Sequence, residues 1–236
     1  MLQALIFDVD GTLADTEMAH LAAFNHAFAQ YGLDWHWDVP LYTQLLEVSG
    51  GKERIEAYWK TRSDMPTAID GSALQDTIAQ LHAIKTAAYE KSVQEGQVQL
   101  RPGVLKLIQE AVDQDLTLAI ATTTSPVNIS ALLHQCIGPR WRDHFAVVED
   151  ASSAPRKKPD PMVYEQTLQR LGLSPRQCMA IEDSANGLQA ARRAGLPTVI
   201  THNPFTQHHD FTDALRVLPS LQGIGLARLR EWHAHA

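Results

Sequence analysis

Five short apolar runs constrain this fold more than any other feature: 2–7 (LQALIF), 116–121 (LTLAIA), 145–148 (FAVV), 179–181 (MAI) and 198–201 (TVIT). None alternates with polar residues as a half-solvated strand does. Each therefore reads as a strand covered on both faces. Helical patterns lie between the later ones, at 102–114, 126–136, 161–171 and 185–194. Strand–helix alternation of this kind predicts right-handed crossovers and an α/β fold with a parallel sheet.

The segment 16–97 interrupts that alternation just after the first run. It holds helical stretches at 19–31 and 74–94 and no convincing strand. An all-helical cap inserted at 16–97 is expected, with an α/β core built from 1–15 and 98–236. A chain of 236 residues is long enough for that division. The tail beyond Gly223 is expected to be peripheral.

The acids fall at strand ends. Asp8 and Asp10 follow the first run, Thr122 and Thr123 the second, and Glu182 and Asp183 the fourth. Ligands of open parallel sheets bind beyond the carboxyl ends of the strands, so these pieces should converge there. Two carboxylates about 4 Å apart repel by about 4 kcal/mol at an effective dielectric of about 20. A divalent cation offsets this, and oxygen-only ligands favour Mg²⁺ over zinc.

Charge and composition narrow the partners. Net charge is −7, opposite to what a phosphate backbone attracts, so no nucleic-acid partner is expected. No run approaches the roughly 20 apolar residues of a membrane span, and the N-terminus lacks a signal-peptide pattern. Cys136 and Cys178 form no CxxC pair and read as free thiols. A cytoplasmic monomer with a small anionic substrate is expected.

Asp8-Val9-Asp10-Gly11-Thr12-Leu13 resembles the DxDGT signature of the haloacid dehalogenase superfamily. Thr122, Lys158 (followed by Pro159) and the pair Glu182-Asp183 resemble its second, third and fourth motifs, in the same order. The resemblance implies a Rossmannoid core with a helical cap and a Mg²⁺-dependent phosphatase. Asp8 would be the nucleophile that becomes an aspartyl phosphate, and Asp10 the general acid and base. Lys158, Thr122 and Thr123 would bind the transferring phosphate. The metal would be held by Asp8, the backbone carbonyl of Asp10, Glu182 and Asp183.

Within the superfamily, 34–38 (DWHWD) and 50–55 (GGKERI) resemble the CbbY family, with β-phosphoglucomutase as a cousin. That family is associated with carbon fixation and includes phosphatases acting on xylulose 1,5-bisphosphate. The likeness makes that sugar bisphosphate the expected substrate. Glu17, Gly51, Lys52, Arg54 and Lys85 are the expected substrate contacts. Lys52 and Arg54 would take a second phosphate. Lys85 aligns with a substrate lysine of the mutase by its K-x-x-x-Y spacing to Tyr89. His20, Trp35 and Trp37 read as packing, and His208, His209, His233 and His235 as solvated.

Two rival functions remain open at this point. A phosphomutase would use Asp8 and Asp10 identically and return the phosphate to the sugar. A non-catalytic sugar-phosphate sensor would be expected to have lost one of the two aspartates. A dinucleotide-binding protein is disfavoured, because no GxGxxG follows the first strand.

Overall fold

The structure is a computed structural model. It describes residues 1–62 and 71–236, with side chains for all of these except 71–73. The part of the expected cap at 63–70 lies outside the described residues. A six-stranded parallel sheet carries the fold: β1 (Ala4–Phe7), β2 (Thr117–Ala121), β3 (Val147–Glu149), β4 (Cys178–Glu182), β5 (Thr198–Thr201) and β6 (Arg216–Leu218). Their order is β3-β2-β1-β4-β5-β6. The first motif thus sits on a central strand.

Both faces of the sheet are covered, as the unbroken apolar runs predict, but unequally. Leu5, Phe7, Leu118, Ile120, Met179 and Ile181 face one side. The opposite face is lined by smaller residues, Ala4, Ala119, Ala121, Cys178 and Ala180, with Ile6. On the bulky side lie α5 (Val104–Asp113), α6 (Pro126–Cys136) and α9 (Leu226–Ala234). The small side chains admit α7 (Met162–Leu171) and α8 (Ala185–Arg193) close to the sheet.

Two expectations need correction. The sheet has a sixth strand, β6, which is exposed along Arg216 and Val217 and so carries no apolar run to announce it. The chain beyond Gly223 is not peripheral. Leu226 and Leu229 of α9 are fully buried in the main core. Glu110 fixes the start of that helix by accepting from the Leu226 N–H at 2.8 Å.

Between β1 and α5 lie α1 (Glu17–Tyr31), α2 (Val39–Leu45), α3 (Gly51–Thr61) and α4 (Gly71–Gln94), with no strand among the described residues. These helices bury an aromatic cluster that includes Phe24, Phe28, Trp35, Trp37, Tyr42 and Trp59, joined by Phe205 from beyond β5. Trp35 and Trp37 are packing residues, as read from the sequence. Asn25 clamps Trp37 by donating to its carbonyl and accepting from its N–H, both at 2.8 Å.

The two chain crossings into and out of these helices run side by side. The Asp15 N–H donates to Gln99 O at 3.3 Å and the Arg101 N–H to Leu13 O at 2.9 Å. The buried Arg101 guanidinium donates to the carbonyls of Gly11, Thr201, His202 and Pro219 and pairs with Asp15 at 3.2 Å. One side chain therefore ties the crossings to the first-motif turn and to the end of β5.

Candidate active site

Strand register assembles the site. Phe7 pairs with Ile120 on one side and Ile181 on the other. Asp8, Ala121 and Glu182 therefore leave three adjacent strands at one level. Asp8, only 7% exposed, accepts from Lys158 Nζ at 2.6 Å. The same ammonium donates to Glu182 Oε1 at 2.5 Å and to Ala121 O at 2.9 Å. Lys158 is no solvated lysine: it is 5% exposed. Burial opposes its charge, but the two carboxylates outweigh burial and keep it protonated.

One ammonium does not balance the carboxylates around it. Oxygens of Asp8, Glu182 and Asp183 lie within 4.8 Å of one another. Burial pushes the Asp8 carboxyl up to about 7, with Glu182 and Asp10 adding to the shift and Lys158 opposing it. Burial also drives Asp183 well above the usual carboxylate range, reinforced by Asp8 and Glu182. The group is all oxygen, buried and over-supplied with negative charge. It fits a hard divalent cation such as Mg²⁺. Asp183 has no competing duty as a helix cap, because Ser184 Oγ accepts from the Gly187 N–H at 3.1 Å.

Asp10 faces a different environment. Its Oδ1 lies 3.0 Å from His20 Nε2, and His20 Nδ1 lies 2.9 Å from Lys85 Nζ. An ammonium only donates, so Nδ1 accepts and the ring proton sits on Nε2, aimed at Asp10. Tyr89 stacks on the imidazole at 4.1 Å and fixes its plane. Burial raises the Asp10 carboxyl, but His20 and then Lys85 more than reverse this and bring it down to about 2. Burial brings Lys85 down to about 8 against the pull of Asp10 and Glu17.

His20, read from the sequence as packing, is thus the partner of Asp10. The available signal was its place at the start of a helix directly after the first motif. His20→Ala should lower kcat by roughly 10²-fold, the usual scale of general acid–base assistance. Asp10 should then hold its proton to higher pH, and the alkaline limb of the pH–rate profile, which reports the general acid, should move upward. An unmoved limb with kcat within threefold of wild type would contradict this.

A cavity of about 520 Å³ lies between the sheet edge and the helices. Every candidate residue lines it: Asp8, Asp10, Thr122, Thr123, Lys158, Glu182 and Asp183 from the sheet side, and Glu17, Gly51, Lys52, Arg54 and Lys85 from the helices. Thr122 is buried, and its hydroxyl accepts from the Thr124 N–H at 3.4 Å. Glu17 accepts from the Tyr42 hydroxyl at 2.7 Å.

Arg54 is committed structurally. It donates to Leu45 O at 3.0 Å, Val48 O at 3.2 Å and the Tyr42 hydroxyl at 3.4 Å. Lys52 is exposed at the rim. A Cβ on Gly51 would sit 2.8 Å from His82 Nε2, so this glycine lets two cavity-lining elements close on each other. Burial, with Lys85 and Lys52 nearby, pushes His82 down to about 3 and keeps it neutral. His209 was expected to be solvated. It lines the cavity instead, and its Nδ1 accepts from the Ala185 N–H at 3.2 Å.

A buried carboxylate beside a lysine, a second aspartate held by histidine, and a buried acidic trio at one sheet edge are parts that a phosphoryl-transfer site needs. The haloacid dehalogenase-like hydrolase family model matches residues 2–195. The chain belongs to this family, and it is a phosphatase.

Within the family it groups with the CbbY proteins. It is 52% identical to the plasmid-borne CbbY protein of Cupriavidus necator, over 98% of this chain and 97% of that one. It is 44% identical to CbbY of Rhodobacter capsulatus over 98% of each chain. The crystal structure of Rhodobacter sphaeroides CbbY with phosphate superposes with a TM-score of 0.90 at 41% identity, covering 98% of this chain and 100% of that one. A mutant of the same protein has been solved with xylulose-(1,5)bisphosphate, at 40% identity and a TM-score of 0.90, covering 97% of this chain and 99% of that one. β-Phosphoglucomutase of Clostridium difficile shares the fold at 21% identity and a TM-score of 0.79, over 100% of this chain and 98% of that one.

Proposed function

We propose that this chain is a Mg²⁺-dependent sugar-phosphate phosphatase that works through an aspartyl phosphate on Asp8, with residues 16–97 as the cap and xylulose 1,5-bisphosphate as substrate. The observation that carries the reading is the division of labour between two aspartates two residues apart. Asp8 is paired with Lys158, whereas Asp10 is turned to His20.

In the first half-reaction Asp8 Oδ attacks phosphorus and the bond from phosphorus to the sugar oxygen breaks. Asp10, protonated once an anionic phosphate sits beside it, gives its proton to the leaving oxygen. In the second half Asp10 takes a proton from water, and that water attacks the phosphorus of the aspartyl phosphate. Inorganic phosphate leaves and Asp8 is restored. Lys158 and Thr122 bind the transferring group throughout. Bound Mg²⁺ would supply charge neutralisation between phosphate and carboxylates, held by Asp8, Glu182, Asp183 and the Asp10 carbonyl. The presence of both aspartates argues against a non-catalytic sensor.

The bisphosphate reading rests on the CbbY relatives and on the basic rim of the cavity. Lys52 is its arm toward a second phosphate, while Arg54 holds the turn at 45–48 that shapes the rim. A charge-assisted hydrogen bond contributes about 1.5–3 kcal/mol. Lys52→Ala should therefore lower kcat/KM for the bisphosphate by roughly ten- to a hundredfold. Turnover of a small aryl phosphate should change by less than about threefold, since it presents no second phosphate to the rim.

The deciding experiment measures phosphate release from xylulose 1,5-bisphosphate, ribulose 1,5-bisphosphate, the matching monophosphates and β-glucose 1-phosphate. Release without any bisphosphate primer establishes hydrolysis. Isomerisation of the glucose ester in preference to release would make the chain a mutase. A monophosphate outperforming both bisphosphates would remove the substrate assignment and leave the chemistry standing.

A further inference from the structure

Glu182 and Asp183 must hold fixed orientations to serve a cation, yet neither the first motif nor Lys158 accounts for how both are held. Two residues outside every motif touch them. Tyr164, on α7 and fully buried, donates its hydroxyl to Glu182 Oε1 at 2.6 Å. Its ring lies 5.1 Å from Lys158 Nζ. Burial and the carboxylate beside it keep the phenol protonated, hence a donor.

Asn203, just past β5 and 5% exposed, directs Nδ2 to Asp183 Oδ2 at 2.8 Å. Its amide orientation is fixed independently, because Oδ1 accepts from the Phe205 N–H at 2.9 Å. Glycines leave room for both carboxylates. A Cβ on Gly187 would collide with the Glu182 carboxylate, and one on Gly11 would collide with Asp183 and Asn203.

We propose that Tyr164 and Asn203 are positioning residues for a divalent cation, Tyr164 orienting Glu182 and Asn203 orienting Asp183. The inference rests on the metal-dependent reading above. Both donors are neutral. They orient the carboxylates without cancelling the negative charge that attracts the cation, as a second lysine would. Groups of this kind, hydrogen-bonded to metal ligands, typically contribute 10–100-fold in metal affinity.

The test measures Mg²⁺ binding to the substrate-free full-length chain by calorimetry, together with the Mg²⁺-induced rise in Tm. Tyr164→Phe deletes one oxygen and keeps the packing. Asn203→Ala deletes the donor to Asp183. Each should raise the Mg²⁺ Kd by roughly 10–100-fold. kcat at saturating Mg²⁺ should stay within a few-fold of wild type, a split that general destabilisation does not produce. If Asn203→Ala does not fold, Tyr164→Phe decides. Dissociation constants within twofold of a binding wild type overturn the inference alone. A wild-type chain that binds no Mg²⁺ overturns the metal reading with it.

Discussion

Asp8→Asn abolishes turnover, with an expected loss of about 10⁴-fold or more, the scale seen when a covalent nucleophile is removed. An amide cannot displace the sugar oxygen from phosphorus, and the other carboxylate beside Lys158, Glu182, already accepts from both Lys158 and Tyr164. The same change should not weaken the fold. Asp8 is buried with its carboxyl raised from 3.8 to about 7, so keeping it ionised costs folding free energy. A raised carboxyl destabilises the native state progressively as pH climbs from about 4 to about 7. The metal-free variant should therefore match or exceed the wild-type Tm at pH 8, with the difference shrinking as pH falls toward about 4. Steady-state phosphate release and calorimetry check both parts. Activity within tenfold of wild type would remove Asp8 as nucleophile.

Chelation is expected to have the second-largest effect, a loss of roughly 10³-fold or more in phosphate release, restored by Mg²⁺. Ca²⁺ should bind and fail to restore, because it accepts longer bonds and looser geometry. The sign of the pH dependence follows from Asp8 and Asp183, both raised by burial and mutual repulsion. Their protons must leave before a cation binds, so Mg²⁺ affinity should rise with pH up to about 7. Mg²⁺ titrations at two pH values, one on each side of that point, test the direction. Full activity in excess chelator, or tighter binding at the lower pH, would contradict the clustered-carboxylate reading.

Much of this site was legible because its residues sit at the ends of apolar runs. A residue directly after a buried strand can point only to the sheet edge, which is why Asp8, Thr122, Glu182 and Asp183 were found. The features that escaped lack a local signal. β6 is a solvent-facing edge, and its Arg216-Val217-Leu218 carries no apolar run. The α9 helix buries Leu226 and Leu229 through contacts with distant elements that no window of sequence displays.

His20 looked like a lone histidine in an apolar helix, and only the convergence of α1 and α4 brings Lys85 to its other nitrogen. Tyr164 and Asn203 reach partners 18 and 20 residues away through the sheet. Arg54 lines the cavity as expected, but its present partners were not legible. Its charge suggested a ligand, and its hydrogen bonds serve a turn and a tyrosine.

The paired crossings at Leu13–Asp15 and Gln99–Arg101 bear on how such a protein diversifies. Because the helical segment departs and returns through hydrogen-bonded neighbours, its ends are already joined across a few ångströms of core. An insertion, deletion or wholesale exchange between those points leaves strand order, register and the aspartate pair untouched. Selection on which metabolite is accepted can therefore act on one stretch of gene, provided that His20 and Lys85, which reach Asp10 from within it, are kept.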